Sequence, residues 1–193
     1  ADERTLRGHG DRVGERAGQW ARAIGLPENL VEDLVTAGRH HDDGKDDPRM
    51  QAALGAAVDE NGFLVLEDPE ERERRTPLSK SRLPRRYWNR SMRMAGVPSG
   101  WRHEAFSADL LRERLDRGEQ TAHDPDLVMH LVLSHHGRFR GPGPVCLPEH
   151  GTTPRHQNPN DPSWAEAISR FHRLNDRYGP YTLALIETIL RLA

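Results

Sequence analysis

Residues 40–51 read HHDDGKDDPRMQ. Histidine beside aspartate is a pairing that suits a divalent metal. Neutral imidazole binds Fe, Mn, Co, Ni or Zn, and a carboxylate adds charge and can bridge two ions. The same residue types recur along the chain: His9 in LRGHGDRVGERA, His103 in RHEAFS, and His135 with His136 in SHHGRFR. Eleven histidines is a high count for 193 residues, and the single cysteine, Cys146, leaves no thiolate set for a closed structural zinc site. Two ions about 3.5–4 Å apart clamp the attacking and leaving oxygens of a phosphoester and generate hydroxide at neutral pH. Asp42 is the natural bridge for such a pair.

Helices must bring these side chains together. From Gly8 to Gly25, Val13, Ala17, Trp20, Ala21 and Ile24 recur at helical spacing, and His9 lies on the same face. Pro27 opens a second helix whose stripe runs Leu30, Leu34, Ala37 or Gly38, and His41. Asp46 or Asp47 caps a third, PRMQAALGAA, with Pro48 in its first turn. His103, Phe106, Leu110 and Leu111 share a face of the next. Val128, Leu131, Val132 and His135 line one that starts at Asp124-Pro125 and stops at Gly137. Two more follow, with Trp164, Ile168 and Phe171, then Leu183, Ile186 and Leu190, turned inward. Each of His9, His41, His103 and His135 thus extends the apolar stripe of a helix near its end. A lone inward histidine is ordinarily a hydrogen-bonded core residue; four on four helices, with Asp42 and His136 adjacent, read as a ligand set. His40 falls one position off the stripe and reads as packing, Asp43 as solvent-facing, and Asp46 and Asp47 as caps. Spacing alone leaves Lys45 either a surface lysine or a phosphate contact. His123, His130, His150, His156 and His172 read as surface residues.

The expected fold is a single all-α domain over residues 1–193, a helical bundle with two long excursions. The first, 58–101, has no sustained period and reads as a short hairpin and an extended loop. The second, 138–160, is rich in Gly and Pro. Net charge is −2 and hydrophobic content 35%, so global charge does not mark a nucleic-acid binder. Locally the picture differs. From Thr76 to His103 there is no Asp or Glu, while Lys80, Arg82, Arg85, Arg86, Arg90, Arg93 and Arg102 alternate with Tyr87, Trp88 and Trp101. Cations that follow a phosphate backbone and aromatics that stack on bases describe a single-strand groove; a partner-docking surface or a plain solvated loop are the alternatives. Arg138 and Arg140 directly follow the histidine pair and are placed for phosphate. The N-terminal ADERTLRGHG holds no apolar leader run and no stretch approaches a membrane span, so with one cysteine a soluble cytoplasmic protein is expected.

HDDGK, then RHEAFS, then SHHGRFR, preceded by His9 and with Pro48 and Gln51 in a PxxQ element, resembles the HD-domain nuclease of type I CRISPR systems, the nuclease part of the CRISPR-associated helicase–nuclease. The resemblance runs from Leu6 to the final helix. It implies an α-helical HD bundle, two divalent transition-metal ions (Fe, Mn, Co or Ni) and cleavage of single-stranded DNA. It implies His9, His41 and Asp42 on the first ion, Asp42, His103, His135 and His136 on the second, and Lys45 at the scissile phosphate. His41, Asp42 and Lys45 would be the catalytic group, with Arg138, Arg140, Arg85, Arg86, Trp88 and Arg90 on the DNA. In that family an aspartate of the last helix closes the first site, in a context like LLRLAD; here the sequence reads ILRLA to Ala193. The chain has no GxxxxGK[ST], so the implied partners are a helicase domain or subunit that supplies ATP-driven unwinding and a CRISPR surveillance complex, with no membrane. Two other functions use the same residues: an HD phosphohydrolase acting on nucleotides or cyclic dinucleotides, and an inactive scaffold that binds a helicase and DNA.

Overall fold

The computed structural model describes residues 4–137 and 162–193, with side chains from 165 onward in the second segment. The fold is all-α. Helices α1 (Leu6–Ala23), α2 (Glu28–His40), α3 (Pro48–Gly55), α4 (Pro69–Arg74), α5 (Arg85–Met94), α6 (His103–Asp116), α7 (Pro125–Ser134), α8 (Pro162–Tyr178) and α9 (Pro180–Leu192) follow in order. The sheet among the described residues is one antiparallel pair, β1 (Ala57–Val58) with β2 (Leu64–Val65), in the register Ala57 opposite Val65. Arg138, Arg140 and the whole 138–160 loop lie outside the described residues, as does the side chain of Trp164.

The main core gathers Val13, Leu34, Leu111, Leu131, Leu174 and Ile186 from α1, α2, α6, α7, α8 and α9. A second, smaller core joins Met50 and Leu54 of α3 to Val97 and Trp101, with Trp88, Met92 and Phe106 packed on it. The seam between α1 and α2 depends on glycine. A Cβ on Gly10 would lie 2.4 Å from the Arg39 carbonyl oxygen, and one on Gly38 would lie 2.6 Å from Gly14 Cα. That seam turns α1 relative to the expected stripe: Gly10, Gly14 and Gly18 are buried with Val13, Ala17 and Ala21, while Trp20 is 40% and Ile24 53% exposed.

The insertion 58–101 is more ordered than its pattern suggests. It holds the expected hairpin, but also α4 and α5. Asp68 caps α4 by accepting from the Glu70 and Glu71 amides, and the helix buries no residue. Ser91 is the one buried residue of α5. Neither helix therefore leaves an apolar period in the sequence.

Candidate metal centre

Helix α2 ends at His40, and His41 and Asp42 follow as the chain turns into a 3-10 turn over Asp43–Asp46. Gly44 makes that turn possible. Its amide donates to Ser107 Oγ at 2.8 Å, and a Cβ there would meet the His103 carbonyl oxygen at 2.3 Å. The close approach sets Asp42 against the first turn of α6, where His103 sits. Asp47 caps α3, accepting from the Arg49 and Met50 amides; Asp46 is exposed and caps nothing. Gln51 then ties the turn to the insertion, donating to the Lys45 carbonyl at 2.8 Å and the Leu78 carbonyl at 2.9 Å. On the other side, Asp124 caps α7, accepts from Tyr178 Oη at 2.6 Å, and is itself held through its amide by Asp33. Helix α7 ends at Ser134, so His135 and His136 leave it as His41 and Asp42 leave α2.

Asp42 is the hub. Its Oδ2 lies 3.5 Å from His9 Nε2, 3.4 Å from His41 Nε2 and 2.5 Å from Lys45 Nζ. Its Oδ1 lies 3.1 Å from His103 Nε2 and 3.8 Å from His135 Nε2. The His135 ring stands 4.2 Å, centroid to centroid, from that of His136. Ligand atoms of Asp42, His103, His135 and His136 all fall within 4.8 Å of one another, and so do those of His9, His41 and Asp42. All six predicted ligands therefore converge, in two groups that share Asp42.

Proton placement decides what this arrangement is for. His41 Nδ1 donates to the Gly38 carbonyl at 2.7 Å, and His135 Nδ1 to the Val132 carbonyl at 2.7 Å. With Nδ1 so engaged, each ring turns its Nε2 inward. Burial first, then the positive field of His41 and His103, pushes His135 down to about 2, so this ring is neutral. Burial and His41 likewise push His9 down to about 4, and burial lowers His136. Burial alone would raise Asp42, but the facing His103 and His41 and the Lys45 ammonium hold it well below the usual carboxylate range. Asp42 Oδ1 is buried with no hydrogen-bond partner, and the Nε2 atoms of His103 and His135 meet at 3.3 Å. Electron-rich atoms so arranged attract a cation, and these buried groups can hold a metal ion. His9 is oriented differently, its Nδ1 facing the Arg12 guanidinium at 3.4 Å.

The remaining expectations divide. Lys45 is at the centre, ion-paired to Asp42 and 3.3 Å from the Ser79 carbonyl. Asp43 is not solvent-facing but pairs with His40 at 2.8 Å and with Arg114. His130 is a correction: it is 2% exposed and its Nε2 meets buried Glu187 at 2.7 Å. Arg85, Arg86 and Arg90 stand exposed on α5, whereas Trp88 packs part of its ring on the second core and Trp101 is buried there. The residue that pattern reading missed is Glu104. It is 1% exposed, both carboxylate oxygens lack a hydrogen-bond partner, and Oε2 lies 3.4 Å from His103 Nδ1. It stands behind His103 as Gly38 and Val132 carbonyls stand behind His41 and His135. A charged residue beside a ligand histidine was its only signal.

Fold and site together define an all-α protein with a buried histidine–aspartate centre able to bind metal. No protein-family model, curated protein or solved structure matches the chain. Among the described residues no helix is long and apolar enough to cross a membrane.

Proposed function

We propose that this chain is a metal-dependent phosphodiesterase of the HD type that cuts single-stranded DNA, acting with a helicase that feeds it the strand and with a CRISPR surveillance complex. The observation that carries this reading is the convergence of imidazole Nε2 atoms on both oxygens of one buried aspartate, 3.1 Å and 3.8 Å at Oδ1 and 3.4 Å and 3.5 Å at Oδ2. A carboxylate with ligand sets on each side suits two ions, with His9 and His41 to one and His103, His135 and His136 to the other. The N/O donor set suits Fe, Mn, Co or Ni. Such ions supply an activated water and neutralise charge on a phosphodiester. The protein's own share is to hold Asp42 ionised and His9, His135 and His136 below their usual pKa, and to fix His41 and His135 through backbone carbonyls. Lys45 is the nearest ammonium for an anionic oxygen once the charge on Asp42 is taken up. The acid-free run from Thr76 to His103 favours a polymer over a small nucleotide.

The test pairs elemental analysis with turnover. Wild type loaded with Mn, Fe, Co or Ni retains metal after desalting, and His135→Ala retains less. Wild type degrades single-stranded DNA in preference to duplex DNA, nucleoside triphosphates and cyclic dinucleotides, and the variant does not. Preference for a nucleotide or cyclic dinucleotide would make it a small-molecule phosphohydrolase. No retained metal and no turnover would leave a scaffold.

A further inference from the structure

A cavity of about 610 Å³ lies between α3, the hairpin and the segment 75–87. Its floor is apolar, with Leu54, Leu78 and Leu83. Its rim carries Lys80, Arg82 and Arg86, all exposed. Tyr87 lines it too, with the Arg86 guanidinium 4.9 Å from its ring centroid. Lys80 and Arg82 make no ion pair among the described residues, and the sequence around them holds no acid from Thr76 to His103. The one carboxylate in the lining, Glu67, is paired to Arg75 at 2.7 Å, so an apolar floor, an aromatic wall and the cations Lys80 and Arg82 are complementary to a nucleotide, base inward and phosphate outward.

The cavity and the metal centre meet at one backbone segment. Leu78 and Lys80 line the cavity, and between them the Ser79 carbonyl touches Lys45 Nζ at 3.3 Å. Residues 77–79 are held in place from both sides, by the Pro77 carbonyl accepting from the Leu6 amide at 2.7 Å and by Gln51 on Leu78. One fixed strand of backbone thus has the centre at one side and the cavity at the other.

We infer that this cavity seats a nucleotide of the single strand flanking the phosphate presented to the centre, with Lys80 and Arg82 on its backbone and its base against Tyr87. The inference rests on the proposed nuclease reading for its occupant, but the binding it predicts needs no metal. The experiment is fluorescence anisotropy of a labelled single-stranded oligonucleotide in EDTA, with the full chain. Lys80→Ala/Arg82→Ala should weaken binding at least tenfold and flatten the plot of log affinity against log salt by about 1.4, the share of two phosphate contacts on a single strand. Tyr87→Ala should weaken it about fivefold or more with the salt slope unchanged, as lost stacking does. Arg74→Ala/Arg117→Ala, which removes two exposed arginines outside the cavity, should not match the first variant. Because the assay contains EDTA, a failure of the metal chemistry leaves this result standing. Equal loss in the cavity and control variants, an unchanged Tyr87→Ala, no binding by wild type, or a mononucleotide that competes as well as the strand would each overturn the inference.

Discussion

Gly38→Ala probes how the helix seam sets the metal centre. An added Cβ would lie 2.6 Å from Gly14 Cα, 2.7 Å from Gly14 N and 3.1 Å from Val13 C, all backbone that cannot rotate away. Ordinary contact begins at 3.4 Å, so α1 and α2 must part by about 0.8 Å. Overpacking costs about 1–3 kcal/mol, and Ala in place of a helical Gly restores about 1 kcal/mol, so a rigid clash at the upper end leaves a net loss of about 2 kcal/mol. In a chain of this size that is a fall of about 4–8 °C in Tm. The centre should suffer more than the fold. His9 rides on α1 and His41 follows α2, and metal–ligand distances tolerate about 0.2 Å. Calorimetric metal titration should therefore lose the His9–His41–Asp42 equivalent and keep that of Asp42, His103, His135 and His136. Gly25→Ala is the control, because Gly25 has φ 81° with nothing within 4 Å of a Cβ. It should lower Tm through backbone strain and leave metal binding alone. A Gly38→Ala protein with wild-type metal stoichiometry and affinity would refute the reasoning.

Two further outcomes follow from the site. Because burial lowers His9 to about 4 and His135 to about 2 from 6.5, the unfolded chain takes up protons below pH 6.5 while these folded rings do not. Metal-free stability is therefore fully present above pH 6.5 and falls as pH drops toward 4; urea unfolding in EDTA should show this, and His9→Gln/His135→Gln should flatten the slope, whereas an equal slope in the variant would count against neutral rings. Glu104→Ala should weaken metal binding about 10–100-fold by removing the carboxylate 3.4 Å from His103 Nδ1, and Glu104→Gln, which keeps an oxygen there, should recover part of it. Unchanged affinity in the alanine variant would mean that Glu104 does not orient His103.

Much of this was legible from residue order. The helices α1, α2, α6 and α9 announce themselves by period, α2 also by Pro27, and α3 and α7 by their Asp-Pro caps. The six ligands could be found because His9, His41, His103 and His135 each continue a stripe to a helix end and Asp42 and His136 stand next to them. His130 was misread because a stripe argument assumes one solvent face, and α7 is buried from Leu127 through Ser134 on all sides. Its off-stripe position faces Glu187 of α9 rather than water. The helices α4 and α5 escaped because they bury almost nothing, so only local caps specify them. Trp20 and Ile24 were placed inward because their spacing fits, but the glycine row of α1 packs closer to α2 than bulky residues allow.

The placement of His41 and His135 just past the last turns of α2 and α7 has an electrostatic consequence. Each of those helices directs the negative pole of its peptide dipoles at the same spot, while α6 arrives there with its amino end at His103. The backbone alone thus sets up a gradient, inviting a cation between the two carboxyl-terminal ends and an anion toward the amino-terminal one. That polarity survives any single side-chain loss at the centre, so swapping one ligand for another residue would blunt the preference for cations without reversing it.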